Sequence, residues 1–336
     1  MSRQRGQGAD SEAGLRTQPA GRRSEGERAE SWQQERARVL SQARVVVVKV
    51  GSAVLTDASG LNSQVLEGLA AQLAFLRDLP LTGEDAASAG QPEPAPHATD
   101  ASAPAQGARR IVLVSSGAVA AGRAALASRG RAVEPTGLSA RQAAAAVGQG
   151  QLMQTWDKVF LAHGMPTAQV LLTRDDLRAR QRFLNARNTF AELLQWGVLP
   201  IVNENDTVSI SELKFGDNDC LASLLVNLVE ADLFINLTSS SGVLAADPQK
   251  HPDAPVMDHI DDVAALDLGQ LCGGKTSVGT GGMYSKLLAA RRAAQLGVPT
   301  LILPGREPAV IGRAFAAAGA GDSVLTDKSN HIFICH

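Results

Sequence analysis

The segment RVVVVKVGSAVL, residues 44–55, constrains the fold of this chain more than any other stretch. Val45 to Val48 and Val50 flank Lys49 with no alternation of polar and apolar positions. Such a run suits a strand buried on both faces, which in practice means a parallel strand covered by helices on either side. The pattern recurs in RIVLVSSG (110–117), VLPIVNEND (198–206), DLFINLT (232–238) and VPTLILPG (298–305), and PTAQVLLT (166–173) is strand-like. Helical patterns lie between them. Ser63 to about Leu79 carries the stripe Val65, Leu66, Leu69, Leu73 and Leu76. Residues 138–164 read as one helix, or two joined at the glycines, and the helix over 182–196 is stopped by Gly197. Two further helices are expected over 218–231 and 281–297. Strands alternating with helices specify an α/β fold with a mainly parallel sheet.

Composition excludes several classes. Hydrophobic residues are 44% of the 336, but aromatics only 4%, so the core must be aliphatic. A net charge of -2 gives no global field for nucleic acid or an anionic membrane. Cys220, Cys272 and Cys335 are odd in number and far apart, as expected of reduced thiols in a cytoplasmic protein, and the six histidines show no ligand spacing. No apolar run approaches the ~20 residues of a membrane span. The Arg-rich start lacks an apolar h-region and carries Asp10, Glu12, Glu25 and Glu27, which argues against a leader peptide. Residues 1–43 have almost no large apolar side chains and are expected to be a disordered tail. Residues 81–108 are a low-complexity insert, expected as an exposed loop.

Four polar clusters follow strands: Gly51-Ser52, Ser115-Ser116-Gly117, Asn203 to Asp206, and Thr238 to Gly242. In a parallel sheet these ends share one edge, so a single cleft can collect them. Lys49 has two readings, an edge residue with its head in water or an ammonium meeting an anion at that edge. In KFGDNDCLASLL, N-capping accounts for one of Asp217, Asn218 and Asp219, not for all three. The Asn203–Asp206 cluster on its own reads equally as a turn. GTGGMYSK (279–286) starts a helix with glycines whose N–H groups suit phosphate oxygens, and Lys286 lies one turn in. GQLCGGKT (269–276) matches the P-loop spacing, but an acidic, helix-like segment precedes it and SVGTGG follows, so a flexible loop is the better reading. No G-x-G-x-x-G is present, which sets a dehydrogenase aside. Asn236-Leu237-Thr238 is a formal glycosylation sequon in a segment that reads as a buried strand.

Taken in order, VVKVGSAVLT, VSSGAVAAGR, AAVGQGQLMQ, LLTRDDLRARQRFLNARNT, PIVNENDTVS, KFGDNDCLASL, LAADP and GTGGMYSK resemble the glutamate 5-kinases of the amino acid kinase superfamily, from about Arg44 to Ile311. The resemblance implies a three-layer αβα sandwich on a mainly parallel, roughly eight-stranded sheet, with a kinase domain over 44–320 and a short tail over 321–336. It implies transfer of phosphate from ATP, with Mg2+ held mainly by the phosphates, to the γ-carboxylate of L-glutamate, the first step of proline synthesis. Lys49, Asp219 and Lys286 match the catalytic positions, with Asp219 holding the two lysines. Ser116, Asn203, Asp206 and Asn218 match the glutamate contacts. Lys49, Gly51, Ser52, Thr238, Ser239 and the stretch Thr280, Gly281, Gly282, Met283, Tyr284, Ser285, Lys286 match the nucleotide contacts. No protein ligand for a metal is assigned. Feedback inhibition by proline through the loop around 203–219, homo-oligomers and a separate glutamyl phosphate reductase partner are further implications. The PUA domain of many bacterial relatives and the fused reductase of animal and plant relatives are not expected here. One departure stands out: the family's usual Asp after Thr238 is Ser239. The alternatives are a sister kinase acting on another carboxylate or phosphate, and a non-catalytic regulatory homologue; retention of Lys49, Asp219 and Lys286 argues against the second.

Overall fold

A computed structural model describes residues 25–81, 108–209, 217–247, 250–272, 282–319 and 333–335. The chain enters through α1 (Glu25–Gln42) and runs into β1 (Val45–Val50). A single turn, α2 (Ser52–Leu55), and a small hairpin of β2 (Thr56–Asp57) and β3 (Gly60–Leu61) lead to α3 (Ser63–Asp78). Then come β4 (Arg110–Ser115), α4 (Ala118–Ala127), α5 (Leu138–Leu161), β5 (Thr167–Leu172), α6 (Arg174–Arg178) and α7 (Arg180–Gln195). β6 (Leu199–Glu204), α8 (Asp217–Leu228) and β7 (Leu233–Thr238) follow. The last part holds β8 (His259–Ile260), α9 (Leu268–Leu271), α10 (Met283–Ala294), β9 (Thr300–Pro304), α11 (Val310–Gly319) and β10 (Phe333–Cys335).

The strands form one eight-stranded sheet in the order β5-β6-β4-β1-β7-β9-β10-β8. The first six are all parallel; β10 runs antiparallel to β9 and parallel to β8. The valine run explains its own position. Every residue of β1 is buried, and its alternate side chains serve two separate cores. Val46, Val48 and Val50 pack with Leu69 and Leu73 of α3, Trp156 and Phe160 of α5, and Ile311 of α11. Val45 and Val47 pack with Phe190 of α7, Leu221 and Leu225 of α8, and Ala289 and Ala293 of α10. With a side-chain period of two, Lys49 must point to the α8–α10 face. A lysine inside an apolar strand is thereby committed to whatever those two helices present.

The sheet order also fixes where a ligand can sit. From β1 the chain moves to β4 on one side, fills in β6 and β5, and then returns to β7 on the other side. The carboxyl ends of β1, β4, β6 and β7 therefore open around a topological switch point, where parallel α/β sheets take ligands. Gly117 makes the sharp exit from β4 into α4 with φ 113, a conformation that side chains disfavour.

α5 is one continuous helix of 24 residues through both Gly148 and Gly150. A Cβ on Gly148 would lie 1.9 Å from the Ala118 carbonyl oxygen and 2.2 Å from the Gly122 nitrogen, and one on Gly122 would lie 1.8 Å from the Ala144 carbonyl oxygen. Two of the glycines thus let α4 and α5 touch backbone to backbone, rather than breaking a helix.

Two boundaries differ from the expectation drawn from composition. Residues 25–42 of the supposed tail form α1. Leu40 is fully buried, Arg36 donates to the Ala314 carbonyl at 3.1 Å, and Trp32 stacks on His259 with ring centroids 5.1 Å apart. Few apolar residues suffice because α11 and β8 already supply the surface they dock on. The C-terminal segment likewise contributes β10 to the sheet, so the folded part extends past residue 320. Residues 1–24 and 82–107 lie outside the described residues.

The α4–α5 contact predicts that Gly148→Ala destabilises the fold by about 1–3 kcal/mol or more, the usual cost of overpacking. A urea midpoint equal to that of the wild type would contradict this reading of the helix crossing.

Candidate active site

A cleft of about 360 Å3 opens at the carboxyl ends of β1, β4, β6 and β7. At its floor Lys49 of β1 meets Asp219 of α8, with Lys49 Nζ 2.6 Å from Asp219 Oδ1. Lys286 of α10 approaches the other oxygen, with Nζ 3.3 Å from Oδ2. All three side chains are buried. Two further donors complete the carboxylate. Asn236 Nδ2 donates to Oδ1 at 3.1 Å, and Ser285 Oγ donates to Oδ2 at 2.6 Å. Each oxygen of Asp219 therefore receives two donors.

The charges follow from that arrangement. Burial pushes Lys49 down to about 8; the attraction of Asp219 opposes this and the neighbouring Lys286 adds to it. Burial alone would raise the Asp219 carboxyl, but the two ammonium groups and the Ser285 hydroxyl hold it below the usual carboxylate range. The triad carries two positive charges against one negative. A net positive site in a dry floor is suited to an anion that spreads its charge over several oxygens.

A polar chain lines the β4–β6 side. Asn218 Nδ2 donates to Ser116 Oγ at 2.8 Å and to Asn203 Oδ1 at 2.9 Å. Asn203 Nδ2 donates in turn to Gln149 Oε1 at 2.8 Å. These bonds lock the Asn218 amide, and its Oδ1 is buried without a hydrogen-bond partner among the described residues. Asp206 and Glu204 add carboxylates to the cleft lining, and Arg123 and Arg141 line it as well. The turn after β6 is tied down by Ser209, whose Oγ donates to Glu204 Oε1 and whose carbonyl accepts from Gln142 of α5 at 3.0 Å. On the other side Gly51, Ser52, Thr238 and Ser239 line the cleft around β1 and β7.

Comparisons with known proteins give the family. The sequence model of the amino acid kinase family matches residues 44–304. A glutamate 5-kinase of Nitratidesulfovibrio vulgaris is 58% identical over 290 residues, which cover 86% of this chain and 68% of that protein. The glutamate 5-kinase of Oleidesulfovibrio alaskensis is 56% identical, with 88% and 70% covered. The chain belongs to the glutamate 5-kinase family. Among solved structures, a UMP kinase from Bacillus anthracis superposes with a TM-score of 0.51 at 14% identity, covering 88% of this chain and 96% of that one. An isopentenyl phosphate kinase from T. acidophilum gives 0.50 at 13% identity, covering 87% and 100%. Such low identities speak for the fold alone.

Most positions expected from the resemblance to the glutamate 5-kinases do converge. Lys49, Gly51, Ser52, Ser116, Asn203, Asp206, Asn218, Asp219, Thr238, Ser239 and Lys286 all line the one cleft. The nucleotide stretch after residue 279 divides. Thr280 and Gly281 lie outside the described residues, as does the second half of the GQLCGGKT segment, whose start forms the short helix α9. Gly282 caps α10, Met283 packs against the core cluster under β8, and Tyr284 is exposed. None of these three, nor Ser285, is among the residues lining the cleft. Ser285 is buried, and its hydroxyl is turned to Asp219, where it braces the carboxylate that holds the two lysines. Sequence reasoning passed over Asn236, Gln149, Arg123 and Arg141. A polar residue inside the apolar run LFINL was the available signal for Asn236.

Removing the Asp219 charge leaves two ammonium groups buried together. Asp219→Asn is therefore expected to lower unfolding stability by about 3–5 kcal/mol, the usual cost of breaking a buried pair. Guanidinium unfolding checks this, and an unchanged midpoint would show that the lysines do not depend on that carboxylate.

Proposed function

We infer that this chain transfers the terminal phosphoryl group of ATP to the γ-carboxylate of L-glutamate, giving L-glutamyl 5-phosphate and ADP, the entry step of proline synthesis. The observation that carries the reading is the pair of ammonium groups braced by one carboxylate at the floor of a cleft. That cleft also holds Asn203, Asp206 and Asn218 on a neighbouring wall.

Phosphoryl transfer asks mainly for positioning and for neutralisation of charge on the moving group. A carboxylate oxygen of glutamate forms a bond to the terminal phosphorus as the bond from that phosphorus to the bridging oxygen of ADP breaks. The attacking carboxylate is already ionised at neutral pH, so no residue has to remove a proton. Lys49 and Lys286 would lie on either side of the moving group and offset the charge of its oxygens. Asp219, with both oxygens taken up by four donors, serves as the anchor of the lysines rather than as a base. Asp206 would receive the α-ammonium of glutamate, while Ser116 and the fixed amides of Asn203 and Asn218 would orient its carboxylates. Gly51, Ser52, Thr238 and Ser239 would face the nucleotide. No group of three or more His, Cys, Asp or Glu side chains with metal-binding geometry occurs among the described residues. Mg2+ would be brought by the nucleotide phosphates and would screen their charge.

Proline carries an α-carboxylate and an α-ammonium, the latter secondary and part of its ring, in the places of those of glutamate. It would compete at Asp206 and the turn after β6, making the enzyme subject to feedback inhibition. A homo-oligomer, a separate reductase that takes the labile acyl phosphate, and a cytoplasmic location complete the reading. Light scattering and a coupled reductase assay address the first two.

Trapping the product as a hydroxamate in the presence of glutamate, ATP and Mg2+ tests the function directly. Product is expected with glutamate, Lys49→Ala and Lys286→Ala are each expected to lower turnover by orders of magnitude, and millimolar proline is expected to inhibit. Lys49 is useful only as the ammonium, and in the free enzyme it titrates near 8. It is charged below that pH and neutral above it, so kcat/KM should fall as pH rises through about 8. A profile flat to well above this pH, or near-normal turnover in either alanine variant, would remove the role given to the lysines.

A further inference from the structure

We propose that Asn236 is a positioning residue for phosphoryl transfer, its side-chain amide anchoring Asp219 so that the carboxylate is shared between the two lysines instead of closing on Lys49 alone. The proposal rests on the phosphoryl-transfer reading above.

Asn236 lies on β7 directly across from Lys49 of β1 in the sheet register, and it has no exposed surface. On the same face of β7 its predecessor is Phe234, fully buried in the apolar core beneath α8 and α10. Packing alone would favour an aliphatic residue at such a place. The amide instead gives its Nδ2 to Asp219 Oδ1 at 3.1 Å, the same oxygen that meets Lys49 Nζ at 2.6 Å. The orientation of the amide is set by chemistry, because its carbonyl would repel the carboxylate. The remaining Oδ1 of Asn236 is buried without a hydrogen-bond partner among the described residues. A buried acceptor left unpaired lowers stability. A residue that lowers stability and commits its donor to the anchoring carboxylate of the lysines has its rationale in that carboxylate.

The consequence follows from how Asp219 divides its lone pairs. Lys286 and Ser285 hold Oδ2, while Lys49 and Asn236 hold Oδ1. The groups facing Lys49 are thus Asp219 from α8, Lys286 from α10 and Asn236 from β7, with Glu204 and Asp206 on the wall of the same cleft. Without the amide, Oδ1 serves Lys49 alone. The ion pair tightens, and the ammonium is held back from the cleft and binds its proton more firmly.

Lysine-selective carbon-13 labelling of the full chain tests this, since only seven lysines contribute signals. Lys49 is assigned from the signal lost in Lys49→Arg. In the wild type the Lys49 signal should titrate near pH 8. In Asn236→Leu the midpoint should move to higher pH, turnover at saturating substrates should fall roughly tenfold or more, as expected for a lost hydrogen bond to a charged group, and the melting temperature should be equal or higher. An unchanged midpoint overturns the proposal even if turnover falls, because a packing defect would lower turnover without moving the titration. Should Asn236→Leu yield no folded protein, the smaller Asn236→Val, which also lacks a donor, is read by the same two outcomes. Absence of turnover in the wild type would overturn the kinase reading alone, and the midpoint comparison would still decide the role of Asn236.

Discussion

The ion pair between Lys49 and Asp219 is the contact on which the rest of this structure depends. It joins the central strand of the sheet to the start of α8, and Lys286 extends it to the start of α10. None of the three charges is tolerable alone at such burial. Together they form a compact group with one excess positive charge, fixed from three different elements. The strand, the two helices and the cleft floor are therefore specified by a single electrostatic requirement.

The fold makes that requirement geometrically simple. β1 stands at the point where the chain changes direction across the sheet, so its carboxyl end has neighbours on both sides, β4 and β7. Polar residues that end β4 and β6 reach the cleft from one side, and those that end β7 reach it from the other. The Asn218 amide ties one wall together, bonding Ser116 and Asn203 across two strands. The backbone contact of α4 with α5 at Gly122 and Gly148 packs the helices behind that wall at closer range than side chains allow. Rigid positioning of charge is what a phosphoryl-transfer site needs from a protein.

Much of this was legible in the sequence, for identifiable reasons. The valine run and its companions announced buried parallel strands, because doubly covered strands cannot alternate polar and apolar residues. The polar clusters after each strand announced a shared edge. Lys49 left two readings open, and its partner decided between them: the strand's period points it at α8, where Asp219 waits. What composition hid was tertiary. α1 has too few apolar residues to fold alone, yet Leu40 and Trp32 find α11 and His259 already in place. The glycines of α5 left open one helix or two, and the structure gives one, with Gly148 answering to α4. Ser285 was matched to the nucleotide contacts only by resemblance, and its bond to Asp219, made across 66 residues of sequence, had no local signal. Asn236 looked like a stray sequon until its partner was seen.

The most direct measurement is a crystal structure of the protein with ADP, glutamate, Mg2+ and a planar metal fluoride standing in for the moving phosphoryl group. Lys49 Nζ and Lys286 Nζ should each contact the planar group from opposite sides, with Asp219 still bonded to both lysines and touching neither the metal nor the fluoride. A complex in which an Asp219 oxygen binds the metal, or in which either lysine points away from the planar group, would contradict the role assigned to the buried triad.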